Sequence, residues 1–213
     1  YADTSYTHTE FEGHEVGTVF SSDSNNVRAE LTHNPWGEWT GVFGLQYTDL
    51  DFSAVGAEAF VPGSNTETSA IFWIEKAEFD NWQLDLGMRY EDVEITVPHT
   101  LIEDEGAVGP SAYSSFNPFS ASGGIIWHVS DNADITGSIS YAERAPGVDE
   151  LYANGPHIAT QVFEVGDPSL KKESTVHVEV GARMGFGGLS GSFSVFRDDF
   201  DNYIYSDDTG LEA

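Results

Sequence analysis

Groups able to hold a proton or a metal, among them Glu143, Glu150, His157, Glu164 and Asp167, fall within one turn-rich stretch, ERAPGVDELYANGPHIATQVFEVGDPSLKKES, residues 143–174. Imidazole nitrogen combined with carboxylate oxygen suits a borderline divalent cation such as zinc. Spacing alone does not specify such a site, because no HxxxH or HExxH pair places two imidazoles on one helix face. The other histidines, His8, His14, His33, His99, His128 and His177, are scattered, and an isolated histidine is more often a hydrogen-bonded surface group than a ligand. His14, His99 and His157 lie in segments that read as connections at one end of the fold, where a metal arriving from outside is met first. The acid runs Glu103-Asp104-Glu105 and Asp198-Asp199-Phe200-Asp201 lack the EF-hand loop pattern and read as solvated charge. No GxSxG, P-loop or nucleophile constellation is present, so no enzymatic activity is expected, and no bound cofactor.

The formal net charge is -28, from 36 acidic and 8 basic residues. Coulomb repulsion excludes nucleic acid as a partner and favours cations. Aromatic residues make up 13% of the chain, which separates it from a disordered acidic segment. With no cysteine there is neither a disulfide framework nor a thiolate metal site. No apolar run is long enough for a transmembrane helix.

The elements that must carry these groups announce themselves by alternation. In NWQLDLGMRYED, residues 81–92, Trp82, Leu84, Leu86, Met88 and Tyr90 share one parity, while Gln83, Asp85, Gly87, Arg89 and Glu91 share the other. A strand sends successive side chains to opposite faces, which explains the period of two. The same pattern runs through Trp39 to Tyr47, Phe119 to Trp127, Ile135 to Tyr141 and Val176 to Met184. Less regular strands are expected near residues 1–11, 17–33, 67–77 and 189–205, about nine strands in all. Only Gly147 to Ala153, after Pro146 and before Gly155, is expected to make a helical turn.

Tight turns at Asn34-Pro35-Trp36-Gly37, Phe79-Asp80-Asn81, Ser130-Asp131-Asn132 and Gly185-Phe186-Gly187-Gly188 alternate with long connections near residues 53–66, 98–117 and 145–172. An up-and-down sheet then carries every tight turn at one end and every long loop at the other, the asymmetry of an outer-membrane barrel. Trp39, Trp82 and Trp127 flank tight turns, and Tyr47, Tyr90 and Tyr141 lie farther along the same parity. Eight residues at about 3.3 Å each, tilted by about 40°, span roughly 20 Å of height, close to the apolar band of such a barrel. The six are therefore assigned to two interfacial girdles. Opposite them, Asp85, Arg89, Glu91, Glu179 and Arg183, with Arg28, Glu30 and His177, would line a lumen. A soluble acidic β-sandwich binding carbohydrate or calcium is the alternative, with the aromatics as its core.

The run Glu143-Arg144-Ala145-Pro146, then ELYANGPHIAT, then Phe163-Glu164-Val165-Gly166-Asp167-Pro168 and Leu170, resembles the barrel of TonB-dependent outer-membrane receptors. Upstream, EFEGHEVGTVF, WTGVFGLQYTDLDFSAVGAEAFVPGSNT and WQLDLGMRYEDVE resemble the same barrel in order, so most of the chain is covered. Within that family the likeness is greatest to the zinc-uptake branch. The resemblance implies an all-β, antiparallel transmembrane β-barrel of 22 strands. Residues 1–213 would be part of that one barrel domain, without the N-terminal plug and the remaining strands. It implies a receptor of the Gram-negative outer membrane, driven by TonB through the plug, taking up a scarce metal, zinc, as its substrate. The alternative is a ferric chelate, siderophore or haem. Carried over by position, His157 in NGPH and Glu58 in VGAEAF become candidate zinc ligands, beside His99 and His14 from the connections.

Overall fold

A computed structural model describes residues 1–12, 14–56, 59–98, 111–157 and 162–208. The elements in chain order are β1 (Ala2–Glu12), β2 (Glu15–Thr32), β3 (Trp39–Gly56), β4 (Ser64–Glu78), β5 (Trp82–Val97), β6 (Ala112–Phe116), β7 (Phe119–Ser130), β8 (Ala133–Arg144), α1 (Val148–Tyr152), β9 (Asn154–His157), β10 (Val162–Val165), β11 (Glu173–Phe186) and β12 (Leu189–Asp201). Ten strands form one antiparallel sheet along the path β1-β2-β3-β4-β5-β7-β8-β11-β12, with β6 beside the far half of β5. β6 and β7 are two halves of one stave, broken at Asn117-Pro118. Proline has no N–H for the ladder, and the break is held by Glu91 N donating to Pro118 O, 2.9 Å, and Asn117 Nδ2 donating to Asp92 Oδ2, 2.8 Å. Nine staves result, as alternation predicts.

Each hairpin is set by its turn. Gly187 and Gly188, at φ 53° and 89°, supply the two positive-φ residues that a type I′ connection between β11 and β12 requires. Two expectations about the connections need correction. The link between β1 and β2 is only residues 13–14, so strict alternation of short and long fails at the first hairpin, and His14 sits at the tip of a tight turn, although at the long-loop end. The long connections are also shorter than the turn residues imply: β3 and β4 run on to Gly56 and back from Ser64, and β6 lies inside the segment read as loop 98–117. β-propensity continues past the apolar alternation because the ladder is hydrogen-bonded whether or not one face is apolar.

Burial along β5 is the reverse of that in a soluble sheet. On β5, Leu86, Met88 and Tyr90 are exposed while Asp85, Arg89 and Glu91 between them are half-buried. Register carries this parity across the sheet: Tyr141 pairs Ala121, Ala121 pairs Met88, Met88 pairs Trp73 and Trp73 pairs Phe43. Among the described residues no second sheet packs on the apolar face. The buried apolar cluster is small and lies on the polar side, where Val93 and Ile95 of β5 meet Leu151 of α1.

Candidate functional site

The connection between β8 and β11 folds back over the inward face of β5 and β6. α1 starts after Pro146, and Glu150 at its third position accepts from the Gly147 N–H at 2.6 Å, satisfying an otherwise orphaned helix-start donor. Arg144 grips the same carboxylate with both terminal nitrogens, at 2.8 and 3.0 Å. Burial pushes the Glu150 carboxyl up, but the Arg144 and Gly147 hydrogen bonds outweigh it and hold it below the ordinary range. Leu151 is fully buried against Val93 and Ile95, and the Tyr152 hydroxyl meets Ser114 Oγ at 2.5 Å. Beyond the helix, Gly166 N donates to Ala153 O and Asp167 N to Glu150 O, at 2.7 and 2.9 Å. The result is a packed cap at the mouth.

The hairpin β9–β10 places His157 at the edge of that cap. Its Nδ1 lies 2.7 Å from Glu164 Oε1, and its ring stacks on Phe60 at 4.6 Å between centroids and 19° between planes. Phe60 belongs to the neighbouring connection, 57–63, and its carbonyl accepts from Asn154 N at 2.8 Å. Two loops are thus joined at one imidazole. Of the sequence-derived metal candidates, His157 is brought beside a carboxylate; Glu58 and His99 lie outside the described residues; His14 is exposed at the β1–β2 tip. No group of three or more histidine, cysteine, aspartate and glutamate side chains fit to hold a metal ion occurs among the described residues. Phe60 was not foreseen, since one phenylalanine in a turn-rich segment carries no spacing signal.

The inward wall is polar and internally paired. Arg89 binds Glu91 at 2.7 Å, Arg28 binds Glu30 at 2.6 Å, and Gln83 donates to Asp85 at 2.8 Å. Both guanidiniums also reach Gln46 Oε1, Arg89 at 3.3 Å and Arg28 at 3.5 Å, and Arg28 lies 4.1 Å over the Phe72 ring. Phe72 in turn lies over Gly44, where any side chain would collide with the ring. Glu179 and Arg183 occupy the same inward parity of β11, opposite Ser138 and Asp134.

Outward, Trp82 pairs with Trp127 and stacks on it at 5.1 Å, beside two tight turns, and Trp39 opens β3 beside a third. At the other end Tyr47 donates to Glu67 and Tyr141 to Glu143, at 2.9 and 2.7 Å, while Tyr90 pairs with Phe119. Apolar bodies with polar tips thus lie at two levels of the outward face.

The TonB dependent receptor-like beta-barrel family matches residues 1–212. The chain belongs to the TonB-dependent receptor β-barrel family. Solved structures of the same fold include the copper transporter OprC, at 15% identity and a TM-score of 0.67 over 87% of this chain. The FrpB iron transporter of Neisseria meningitidis aligns at 14% and 0.60 over 88%, and the ferric citrate transporter FecA at 18% and 0.60 over 96%. The chain spans 31% of the length of each of these three. Its place is the outer membrane of a Gram-negative bacterium, in a family of transport receptors and not of enzymes.

Proposed function

We propose that this part of a TonB-dependent receptor spans the outer membrane as nine adjacent staves of a closed 22-stranded barrel, and that the whole receptor imports a metal as a chelate. The observation that carries the membrane reading is the parity itself. Exposed Leu86, Met88, Ile139, Val178 and Val195 form one outward field, with paired charges behind them. Lipid is the solvent that makes this arrangement favourable, because backbone groups are satisfied in the ladder and apolar side chains lie outside it. β1 and β12, each with one free edge in this path, would be closed by the remaining strands, since open edges are not tolerated in hydrocarbon.

The structurally similar proteins are named for copper, iron, a haem-carrying hemophore and ferric citrate, so the chelate reading, with iron first, is better supported than zinc. The flat Phe60–His157 stack at the mouth suits contact with an organic ligand. A bare zinc ion is the second reading, favoured by the His157–Glu164 pair. Energy would come from TonB, acting on a plug domain. Calorimetry of the full-length receptor with ferric citrate, a ferric siderophore, haem and zinc sulfate separates these readings. Saturable binding of a ferric chelate, with no saturable zinc uptake, is expected. Tight zinc binding that His157→Ala abolishes would transfer the substrate to zinc.

A further inference from the structure

The three long connections at the mouth, residues 57–63, 98–111 and 145–172, contain eight carboxylate side chains and two lysines, Lys171 and Lys172. The cations nearest to them are already engaged. Arg144, the last residue of β8, gives both terminal nitrogens to Glu150 at 2.8 and 3.0 Å and lies 3.5 Å from Glu173. Lys172 Nζ binds the Glu143 carboxylate and donates to the Asn117 carbonyl at 2.6 Å. Deeper on the inward wall, Glu91 holds Arg89 and Glu30 holds Arg28. Of the eight basic side chains, only Lys171 and Arg183 make no ion pair among the described residues, and Arg183 lies near the tight-turn end of β11. The pairs at the mouth also hold the fold. Glu150 caps the start of α1 through Gly147 N, and Lys172 ties the start of β11 to the break between β6 and β7. An anion that recruited Arg144 or Lys172 would have to displace one of these carboxylates from a charge-assisted contact, the strong kind of hydrogen bond.

From this arrangement we infer that the receptor sorts ferric chelates by charge, admitting an uncharged or cationic complex of the hydroxamate class and rejecting anionic complexes such as catecholates and citrate. The inference rests on the chelate reading proposed above. Hydroxamate monoanions balance a ferric ion, and a free amine on the ligand makes the complex cationic. Catecholate dianions leave it strongly anionic. An acidic mouth concentrates the first kind and repels the second before any contact is made. At the mouth, Glu164 sets a carboxylate beside the Phe60–His157 stack, so the same preference holds once the chelate arrives. Recognition of an anion needs free guanidinium or ammonium donors, and those of Arg144 and Lys172 are committed to Glu150 and Glu143.

Stopped-flow quenching of tryptophan emission in the detergent-solubilised full-length receptor reads the binding of a charge series. Ferrioxamine B is cationic and ferrichrome uncharged, while ferric enterobactin, ferric citrate and haem are anionic. One of the first two is expected to bind about tenfold more tightly than any of the anions, a ratio of about 1.4 kcal/mol. Raising the ionic strength from about 0.01 M to about 0.15 M shortens the screening length from about 30 Å to about 8 Å. That change should slow the association of ferrioxamine B and leave that of ferrichrome unaltered. Glu150→Gln keeps an oxygen for the Gly147 N–H but removes the counter-charge of Arg144. It should therefore tighten ferric enterobactin binding by about fivefold, a gain that misfolding cannot imitate. Tightest binding of an anionic chelate to the wild type, association of ferrioxamine B that salt does not slow, or no gain in Glu150→Gln overturns this inference alone. Saturable binding of none of the five overturns the chelate reading beneath it.

Discussion

At the scale of single residues, the outward face contains one carboxylate that breaks its own row. Outward on β4 run Ile71, Trp73, Glu75 and Ala77, and Glu75 is 8% exposed. It is tolerated because Trp73 Nε1 and His33 Nε2 both donate to its Oε1, at 3.0 and 2.9 Å, and because Gly41 opposite leaves room for the carboxylate, which a side chain there would strike. Its Oε2 has no hydrogen-bond partner among the described residues. Glu75→Ala leaves the Trp73 indole and the His33 ring without their acceptor in a site of low polarity, a loss of about 1–3 kcal/mol. Chemical unfolding of the full-length receptor, followed by tryptophan emission, should show that loss together with a shift in the native-state spectrum. An unchanged midpoint and spectrum would mean that the pair contributes nothing to the wall. Sequence showed His33 near a turn but not its partner, because the contact joins residues far apart in the chain through register.

At the scale of elements, the cap is the least legible part and the most consequential for substrate. Pro146 and Gly155 do bracket a short helix, as their backbone preferences imply. What they do not reveal is that α1 folds inward onto Val93 and Ile95, since a five-residue helix has too few apolar positions to declare a face. The bidentate Arg144 contact to Glu150 ties that helix to the end of β8. Because the Glu150 carboxyl is held below its ordinary range in the folded cap, its contribution is full above the unfolded value of about 4.3 and is lost as pH falls through the lower folded value. Hydrogen exchange in α1 and β9, corrected for its intrinsic pH dependence, should therefore show protection falling as pH drops below about 4. Arg144→Ala should reduce protection already at neutral pH and weaken that dependence. Protection independent of pH in the wild type would remove this pair from the cap's stability. Full strand lengths are not legible for a different reason: beyond Tyr47 the outward positions of β3 are Asp49, Asp51 and Ser53, so the hydrophobic signal stops while the ladder continues to Gly56.

At the scale of the whole molecule, alternation and turn placement carry the architecture, because each stave repeats the same two-residue code and every tight turn after the first hairpin returns the chain at the same end. The finer likeness, to a zinc-uptake branch, places its candidate ligands His157 and Glu58 in the connections. Loops diverge where strands are constrained, and the solved structures that share this fold are named for copper, iron, haem and ferric citrate. The central claim is that β5 crosses the bilayer with Leu84, Leu86 and Met88 toward lipid and Asp85, Gly87 and Arg89 toward the lumen. The 213 residues contain no cysteine, so single cysteines at positions 84–89 can be spin-labelled in the full-length receptor and reconstituted into bilayers. Collision rates with oxygen and with a water-soluble nickel chelate then report the surroundings of each label. Oxygen accessibility alternating with a period of two, with maxima at 84, 86 and 88, is the predicted result. Uniform water accessibility, or maxima at 85, 87 and 89, would contradict the account.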